Sequence, residues 1–195
     1  LAADLLMRYE TASAFRMALE ERLRRLAASG GSGLQRLRKR VVAERFLARL
    51  QAPMDSPWIL KGAFALYLRF GDRSRVTQDL DLGLNLAVLG RTPASPAEVA
   101  HALRDAGDRG LDDFFAFKIP GPGESILQDH RGQAYRFGVE ARLDERTFEQ
   151  FRLDVGLMEG LFTPPDVVAG GDILAFAEVP MLHFRAISLA QQFAE

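Results

Sequence analysis

Two stretches of strict alternation near the middle of the chain constrain its fold most. The stretch "YRFGVEARL" begins at Tyr135, and "QFRLDVGL" begins at Gln150. In a strand, successive side chains point to opposite faces, so each stretch predicts a half-buried strand. The apolar face would hold Tyr135, Phe137, Val139, Ala141, Leu143, Phe151, Leu153 and Val155. Asp144 and Glu145 lie between the two runs and predict a hairpin turn.

The remaining patterns are shorter and alternate between helical and strand spacing. They predict helices over 10–29, 34–51, 62–70, 95–106 and 186–195, and further strands over 58–62, 78–85 and 113–119. The first two helices, joined by "GGSG", form a helical hairpin. The fold class expected is therefore α+β, with a mixed sheet and helices packed on one face. We divide the chain into an N-terminal helical segment, 1–51, and a core, 52–195, within one compact domain.

Composition excludes several classes of protein. Hydrophobic residues make up 48% of the 195 residues, which is enough for a sizeable core. Because the chain has no cysteine, disulfides and thiolate metal sites are excluded and a cytoplasmic location is expected. No apolar run approaches the length of about 18 residues that a membrane span requires.

Charge is distributed unevenly along the chain. Residues 1–51 contain eleven Lys or Arg against five Asp or Glu, whereas residues 52–195 contain fourteen against twenty-one. The second helix carries six of these basic residues, which we predict on its exposed side: Arg36, Arg38, Lys39, Arg40, Arg45 and Arg49. Such a surface would bind a polyanion such as RNA, and the alternative is a solvated helix face.

Three aspartates occupy the polar faces of predicted strands. In "RVTQDLDLGL", Asp79 and Asp81 share one face, and Asp154 occupies the polar face of a later strand. Carboxylates brought together repel one another, so we predict that these three hold two divalent cations, Mg²⁺ or Mn²⁺. Paired divalent cations held in this way catalyse phosphoryl and nucleotidyl transfer.

A second motif precedes the aspartates and predicts a phosphate-binding turn. Lys61 and Gly62 lie between a strand and a helix, where glycine and the backbone amide of Ala63 allow close approach of a phosphate. Further phosphate contacts are predicted from residues just before the aspartate pair: Arg73, Arg75 and Thr77. The alternatives for Asp-x-Asp are an exposed strand edge and a dehalogenase-type phosphatase, in which an apolar strand, rather than "RVTQ", leads into the first aspartate.

The stretch "WILKGAFALYLRFGDRSRVTQDLDLGL", together with "FRLDVGL", resembles the AbiEii-type nucleotidyltransferases, relatives of the MenT toxins. The resemblance implies a polymerase-beta-like nucleotidyltransferase fold. It assigns the glycine-motif turn to Lys61 and Gly62, and the metal-binding carboxylates to Asp79, Asp81 and Asp154. Ala63 departs from the pattern, because many nucleotidyltransferases have Gly or Ser at that position.

The same resemblance implies a function. It indicates transfer of a nucleoside monophosphate from an NTP to an acceptor, with tRNA expected, by the toxin of a type IV toxin–antitoxin or phage-defence system with a cognate antitoxin. Two alternatives remain open: a protein side chain as acceptor, and a catalytically inert domain that only binds a partner. Because the family's helix continues beyond "SLAQQFAE", this chain is expected to be the front part of a longer protein. The oligomeric state stays open.

Overall fold

Eight strands form one mixed sheet in the computed structural model, which describes residues 8–30, 33–71, 79–93, 95–128 and 132–194. The strands are β1 (Trp58–Lys61), β2 (Asp79–Asn85), β3 (Phe115–Lys118), β4 (Glu124–Gln128), β5 (Gly132–Leu143), β6 (Arg146–Met158), β7 (Asp166–Ala169) and β8 (His183–Ala186). The helices are α1 (Ala12–Gly30), α2 (Leu34–Gln51), α3 (Gly62–Phe70), α4 (Leu86–Leu89), α5 (Pro96–Gly107) and α6 (Leu189–Ala194). Among the described residues, no helix combines the length and apolarity that a membrane span needs.

The strand order places the aspartate strands side by side in the sheet. It runs β3-β5-β6-β2-β1-β8-β7, and β4 also pairs with β5. The β2–β6 and β1–β8 pairs are parallel, whereas β1–β2 and β5–β6 are antiparallel. This arrangement confirms the α+β class with a mixed sheet.

The β5–β6 hairpin confirms the alternation seen in the sequence. All eight residues predicted on the apolar face are buried. Asp144 and Glu145 form the turn, and both have φ of 55°. Two successive residues with positive φ match the right-handed twist of the flanking strands, which explains why so short a turn suffices.

Helices cover one face of the sheet and build a single large core. Phe15 and Leu19 of α1, Phe46 of α2 and Leu80 and Leu153 of the sheet belong to the same buried cluster. The helical segment thus shares its core with the strands, and the division at residue 51 stays a prediction. Thr11 caps α1, since its hydroxyl accepts from the Ala14 amide.

The predicted exposure of the basic face of α2 is wrong for its second half. Arg45 and Arg49 are 5% and 2% exposed, and both donate to Asp113. Every residue from 41 to 50 is buried, because this half of α2 lies between the sheet and other helices. Arg40 donates to Glu44 within the helix. A helix packed on several sides cannot present these arginines to a polyanion.

Three strands were not predicted. No strand was predicted between residues 119 and 135, yet β4 begins at Glu124. Strands β7 and β8 pair antiparallel at the far side of the sheet. The expected C-terminal helix is shorter, because β8 occupies 183–186 before α6 begins at Leu189. These strands have four or five residues each, too few for alternation to reveal them.

Candidate active site

Four charged side chains form a row across adjacent strands. Lys61 of β1 pairs with Asp81 of β2, Asp81 with Asp154 of β6, and Asp154 with Arg136 of β5. Residues paired directly across strands lie on the same face within side-chain reach. We call Lys61, Asp81, Asp154 and Arg136 the charged row: two carboxylates flanked by two cations.

Asp79 lies two residues before Asp81 on β2, beside the charged row. It pairs in register with Arg152 of β6, whose Nε donates to Asp79 Oδ1 at 2.9 Å. Asp79 and Asp81 share the face opposite Leu80 and Leu82, which belong to the core. The structure therefore brings the three predicted aspartates to one region of the sheet, on the face away from the main core.

Arginine side chains supply the positive charges that face Asp79 and Asp154. Arg136 donates from Nε to Asp154 Oδ1 at 2.8 Å and from Nη2 to Oδ2 at 2.7 Å. These bonds and the Asp154 charge raise the pKa of Arg136 above its usual value. Arg136 and Arg152 were not predicted as site residues, although alternation places each of them on the polar face of its strand.

Asp81 is the least compensated carboxylate of the charged row. Burial, followed by the charges of Asp154 and Asp79, raises the pKa of Asp81 to about 6. Lys61 and a hydrogen bond from the Ala63 amide act in the opposite direction without cancelling the rise. The charged form of Asp81 is therefore disfavoured by burial and by its two neighbouring carboxylates.

The turn at Gly62 packs directly against this carboxylate. Gly62 has φ of 68°, and a Cβ at this position would overlap the carboxylate of Asp81. Lys61 ends β1, and its Nζ lies 3.7 Å from where a Cβ on Gly156 of β6 would be. The missing side chains of the two glycines thus leave room for α3 to begin beside Asp81 and for the ammonium group to lie over β6.

We expect Gly62→Ala to destabilise the fold by about 2–4 kcal/mol, because it combines left-handed strain with a clash. Gly90→Ala is the matched control, since Gly90 has φ of 75° and a Cβ added there would meet no atom within 4 Å. That control should cost only the strain, about 1–2 kcal/mol. Urea unfolding of both variants measures the difference, and equal costs would show that Asp81 does not restrict this turn.

The other predicted phosphate contacts have different outcomes. Arg73, Arg75 and Thr77 lie outside the described residues, so their roles stay predictions. The Ala63 amide donates to Asp81, and its predicted phosphate contact stays a prediction. A cleft of about 320 Å³ adjoins Asp79. Its lining includes Lys39, Gly138, Gln150 and Arg152.

The carboxylates fit a divalent cation by donor chemistry, because hard oxygen ligands suit Mg²⁺ and Mn²⁺. Asp81 and Asp154 are also direct neighbours across β2 and β6. Within the described ranges, however, no group of three or more His, Cys, Asp or Glu side chains is arranged to hold a metal ion. Asp79 and Asp154 are engaged by arginines instead, and the metal-binding role of the three aspartates stays a prediction.

The sheet thus carries Asp-x-Asp on one strand, a third aspartate on its parallel neighbour and a strand–glycine–helix turn beside them, which are the features behind the resemblance to nucleotidyltransferases. The family model described as "Nucleotidyl transferase AbiEii toxin, Type IV TA system" matches residues 45–195. The chain belongs to this family, which confirms the resemblance noted in its sequence.

One solved structure supports the same fold. The chain is similar to MenT4, nucleotidyltransferase toxin Rv2826c from Mycobacterium tuberculosis H37Rv, with a TM-score of 0.59 and 17% identity over 90% of this chain. A putative nucleotidyltransferase from H. pylori aligns over 80% of this chain with 16% identity and a TM-score of 0.41. The chain spans 56% of the length of each of these solved chains. A search of curated proteins finds no match.

Proposed function

We propose that this chain transfers a nucleoside monophosphate from an NTP to RNA, with tRNA as the expected acceptor. The observation that carries the proposal is the charged row, set against the Gly62 turn in a member of the AbiEii family. The biological role we propose is that of a cytoplasmic toxin in a toxin–antitoxin or phage-defence system, countered by a cognate antitoxin.

The β1 side of the charged row is the proposed triphosphate site. Lys61 supplies a positive charge beside Asp81, and α3 begins there with its N-terminal amides. Backbone amides and the dipole at a helix N-terminus both favour a bound phosphate. Lys61, Gly62 and Ala63 would thus hold the NTP phosphates, and Arg73, Arg75 and Thr77 are proposed to add contacts.

Asp79, Asp81 and Asp154 would hold Mg²⁺ or Mn²⁺ between the phosphates and the acceptor. When bound, such a cation neutralises phosphate charge that builds up during transfer. The direct pairing of Asp81 with Asp154 across β2 and β6 is the feature of the described structure that favours this assignment.

Asp154 is the residue that we propose acts on the acceptor. In the proposed step, an acceptor hydroxyl oxygen forms a bond to the α-phosphorus of the NTP. The bond from that phosphorus to the bridging oxygen breaks, pyrophosphate leaves, and the hydroxyl proton passes to the Asp154 carboxylate. Because Asp154 is buried and aligned with Asp81, it would hold the hydroxyl next to the reacting phosphate.

The proposed acceptor site on α2 is limited to the first half of the helix, because the second half is buried. In that first half, Arg38 and Arg40 form ion pairs with Glu20 and Glu44. Lys39 lines the cleft beside Asp79, where Arg152 is paired with Asp79 and Glu140 also contributes to the lining. The proposed RNA contact is therefore narrowed from the whole basic helix to the part of α2 that carries Lys39.

Incubating the chain with each labelled NTP, with and without tRNA, tests the proposal. Label on RNA supports it. Label on protein would replace the acceptor with a side chain. No label anywhere, with Mg²⁺ or Mn²⁺ present, would favour an inert binding domain. Isolating RNA and protein after the same incubation separates the three outcomes in one experiment.

A further inference from the structure

A second row of residues lies beside the charged row, on the same face of the sheet. Asp79 of β2, Arg152 of β6 and Gly138 of β5 pair in register, and all three line the cleft beside Asp79. Each lies two residues from its counterpart in the charged row, which is about 7 Å along a strand. The cleft is therefore close to Asp154. It lies away from β1, the strand that carries Lys61 and the proposed triphosphate site.

Gly138 leaves this cleft open on the β5 side. Its neighbours on the same face of β5, Arg136 and Glu140, carry long side chains, whereas a Cβ added to Gly138 would meet no atom of the described residues within 4 Å. The cleft has a volume of about 320 Å³. Small-molecule sites begin at about 300 Å³, so the cleft suits a single ring system better than a large ligand.

The charges that line the cleft are balanced, which argues against a further phosphate site. Nε of Arg152 donates to Asp79, and Glu140 accepts from the Thr147 hydroxyl. Lys39 adds a positive charge, but a phosphate beside it would also face two carboxylates. A neutral group that donates and accepts hydrogen bonds avoids this repulsion.

A nucleobase has this chemistry and a matching flat shape. The side chain of Gln150 is exposed in the cleft, and its amide offers both donors and an acceptor to a base edge. Arg152 is 58% exposed, and a planar guanidinium stacks on flat rings. Across β5 and β6, Arg152 pairs with Gly138 and Gln150 pairs with Glu140, so these polar groups surround the open position.

We infer that the cleft beside Asp79 binds a nucleobase, that of the terminal nucleotide of the RNA acceptor, and that Gln150 determines base specificity. The inference rests on the proposed function, in which Asp154 acts on the acceptor hydroxyl. With the base in the second row, the ribose spans the step of about 7 Å to the charged row. The terminal hydroxyl then lies next to Asp154.

A neighbouring groove gives the preceding nucleotides a route to the cleft. Gln150 lines both the cleft and this groove. The groove continues between the start of α2, at Leu34 and Arg38, and the start of β6, at Thr147. A base held in the cleft is splayed away from any pairing partner, so the inferred acceptor is an RNA with a single-stranded end.

Binding of short labelled single-stranded RNAs to the full chain without NTP, followed by fluorescence anisotropy, tests the inference. The probes end in each of the four bases or in an abasic nucleotide. We expect the wild type to bind its best base-containing probe about tenfold more tightly than the abasic one, because stacking and hydrogen bonds to the base are then lost. Equal affinities for all five probes would overturn the inference.

Gly138→Leu fills the cleft and should bind every probe as weakly as the wild type binds the abasic one. Gly110→Leu is the matched control, since Gly110 lies between α5 and β3 and a Cβ there would meet no described atom within 4 Å; it should keep the tenfold preference. A preference kept by folded Gly138→Leu would contradict the inference. If that variant does not fold, Gln150→Ala decides, because it should lose discrimination among the four bases.

The affinities of the same variants for ATP, GTP, CTP and UTP identify the source of the base. They should not change in Gly138→Leu. Weaker NTP binding with an unchanged RNA preference would assign the cleft to the base of the NTP and overturn the inference. The labelling assay keeps the two proposals apart. Base-dependent RNA binding without transfer contradicts only the proposed reaction, and equal transfer to abasic and base-containing ends contradicts only the role of the cleft.

Discussion

Asp81→Asn should reduce label transfer from NTP at least about 1,000-fold while leaving the chain folded. The carboxylate of Asp81 lies between Lys61 and Asp154 in the charged row, where the proposed cation and triphosphate meet. Asparagine keeps the size of the side chain and can still accept from the Ala63 amide, but it removes the charge. The measurement is the initial rate of labelled-NMP transfer under saturating Mg²⁺.

The same variant should be more stable than the wild type at neutral pH. The pKa of Asp81 is raised to about 6, so the unfolded chain loses this proton at lower pH than the folded chain does. Stability therefore falls as pH rises from about 4 to 6, and the loss persists above that range. With allowance for partial exposure, Asp81→Asn should recover about 1–2 kcal/mol at pH 7.

Asp105→Asn is the matched control, because Asp105 is 61% exposed and contacts only His101 among the ion pairs described for it. It should change neither the rate of label transfer nor the pH dependence of the free energy of unfolding. Transfer by Asp81→Asn at more than a tenth of the wild-type rate would remove Asp81 from the proposed chemistry. An unaltered stability profile between pH 4 and 7 would contradict the electrostatic cost assigned to Asp81.

Asp113→Ala should produce the largest loss of stability, about 3–5 kcal/mol. Asp113 is 1% exposed and accepts from Arg45 at 2.5 Å and from Arg49 at 3.0 and 2.5 Å. It also accepts from the Phe115 amide, at the start of β3, at 3.1 Å. Asp113 therefore joins α2 to the start of β3. Removing this carboxylate leaves two buried guanidinium groups without their counter-charge, which explains the expected size of the effect.

The pH dependence of the free energy of unfolding tests the same ion pairs of Asp113 with Arg45 and Arg49. Burial alone would raise the pKa of Asp113, but hydrogen bonds and charges from Arg49 and Arg45 outweigh it and lower the pKa. The stabilisation is thus present at neutral pH and is lost as pH falls below about 4, the usual range for an aspartate. In Asp113→Ala this acid-dependent loss should be absent.

Asp105→Ala serves as the control for urea unfolding of Asp113→Ala, since it removes an exposed carboxylate from α5. It should cost no more than about 0.5 kcal/mol. If Asp113→Ala unfolded with a similarly small cost, the buried pair would contribute little to holding α2 against the sheet. Replacing Arg45, Arg49 and Asp113 together by apolar residues should recover part of the loss, because no buried charge then stays unpaired.

Local pattern was enough to predict the face of each long strand. The alternation from Tyr135 to Val155 encodes which residues face the core, and the structure confirms all eight of the predicted apolar positions. The same rule placed Asp79, Asp81 and Asp154 on polar faces, and the Lys61–Gly62 motif at a strand-to-helix turn. These features depend on the period of a strand and on the conformational freedom of glycine, both of which act over a few residues.

Only the tertiary structure decided which side chains meet. Arg152 and Asp79 are 73 positions apart, and their contact depends on the parallel register of β2 and β6. The burial of Arg45 and Arg49 depends on the helices and strands that surround α2. Helical periodicity could not distinguish a basic solvent face from a basic face paired with Asp113. A residue's own neighbours determine its face, whereas its partner across the sheet is determined by the free energy of the whole packed arrangement.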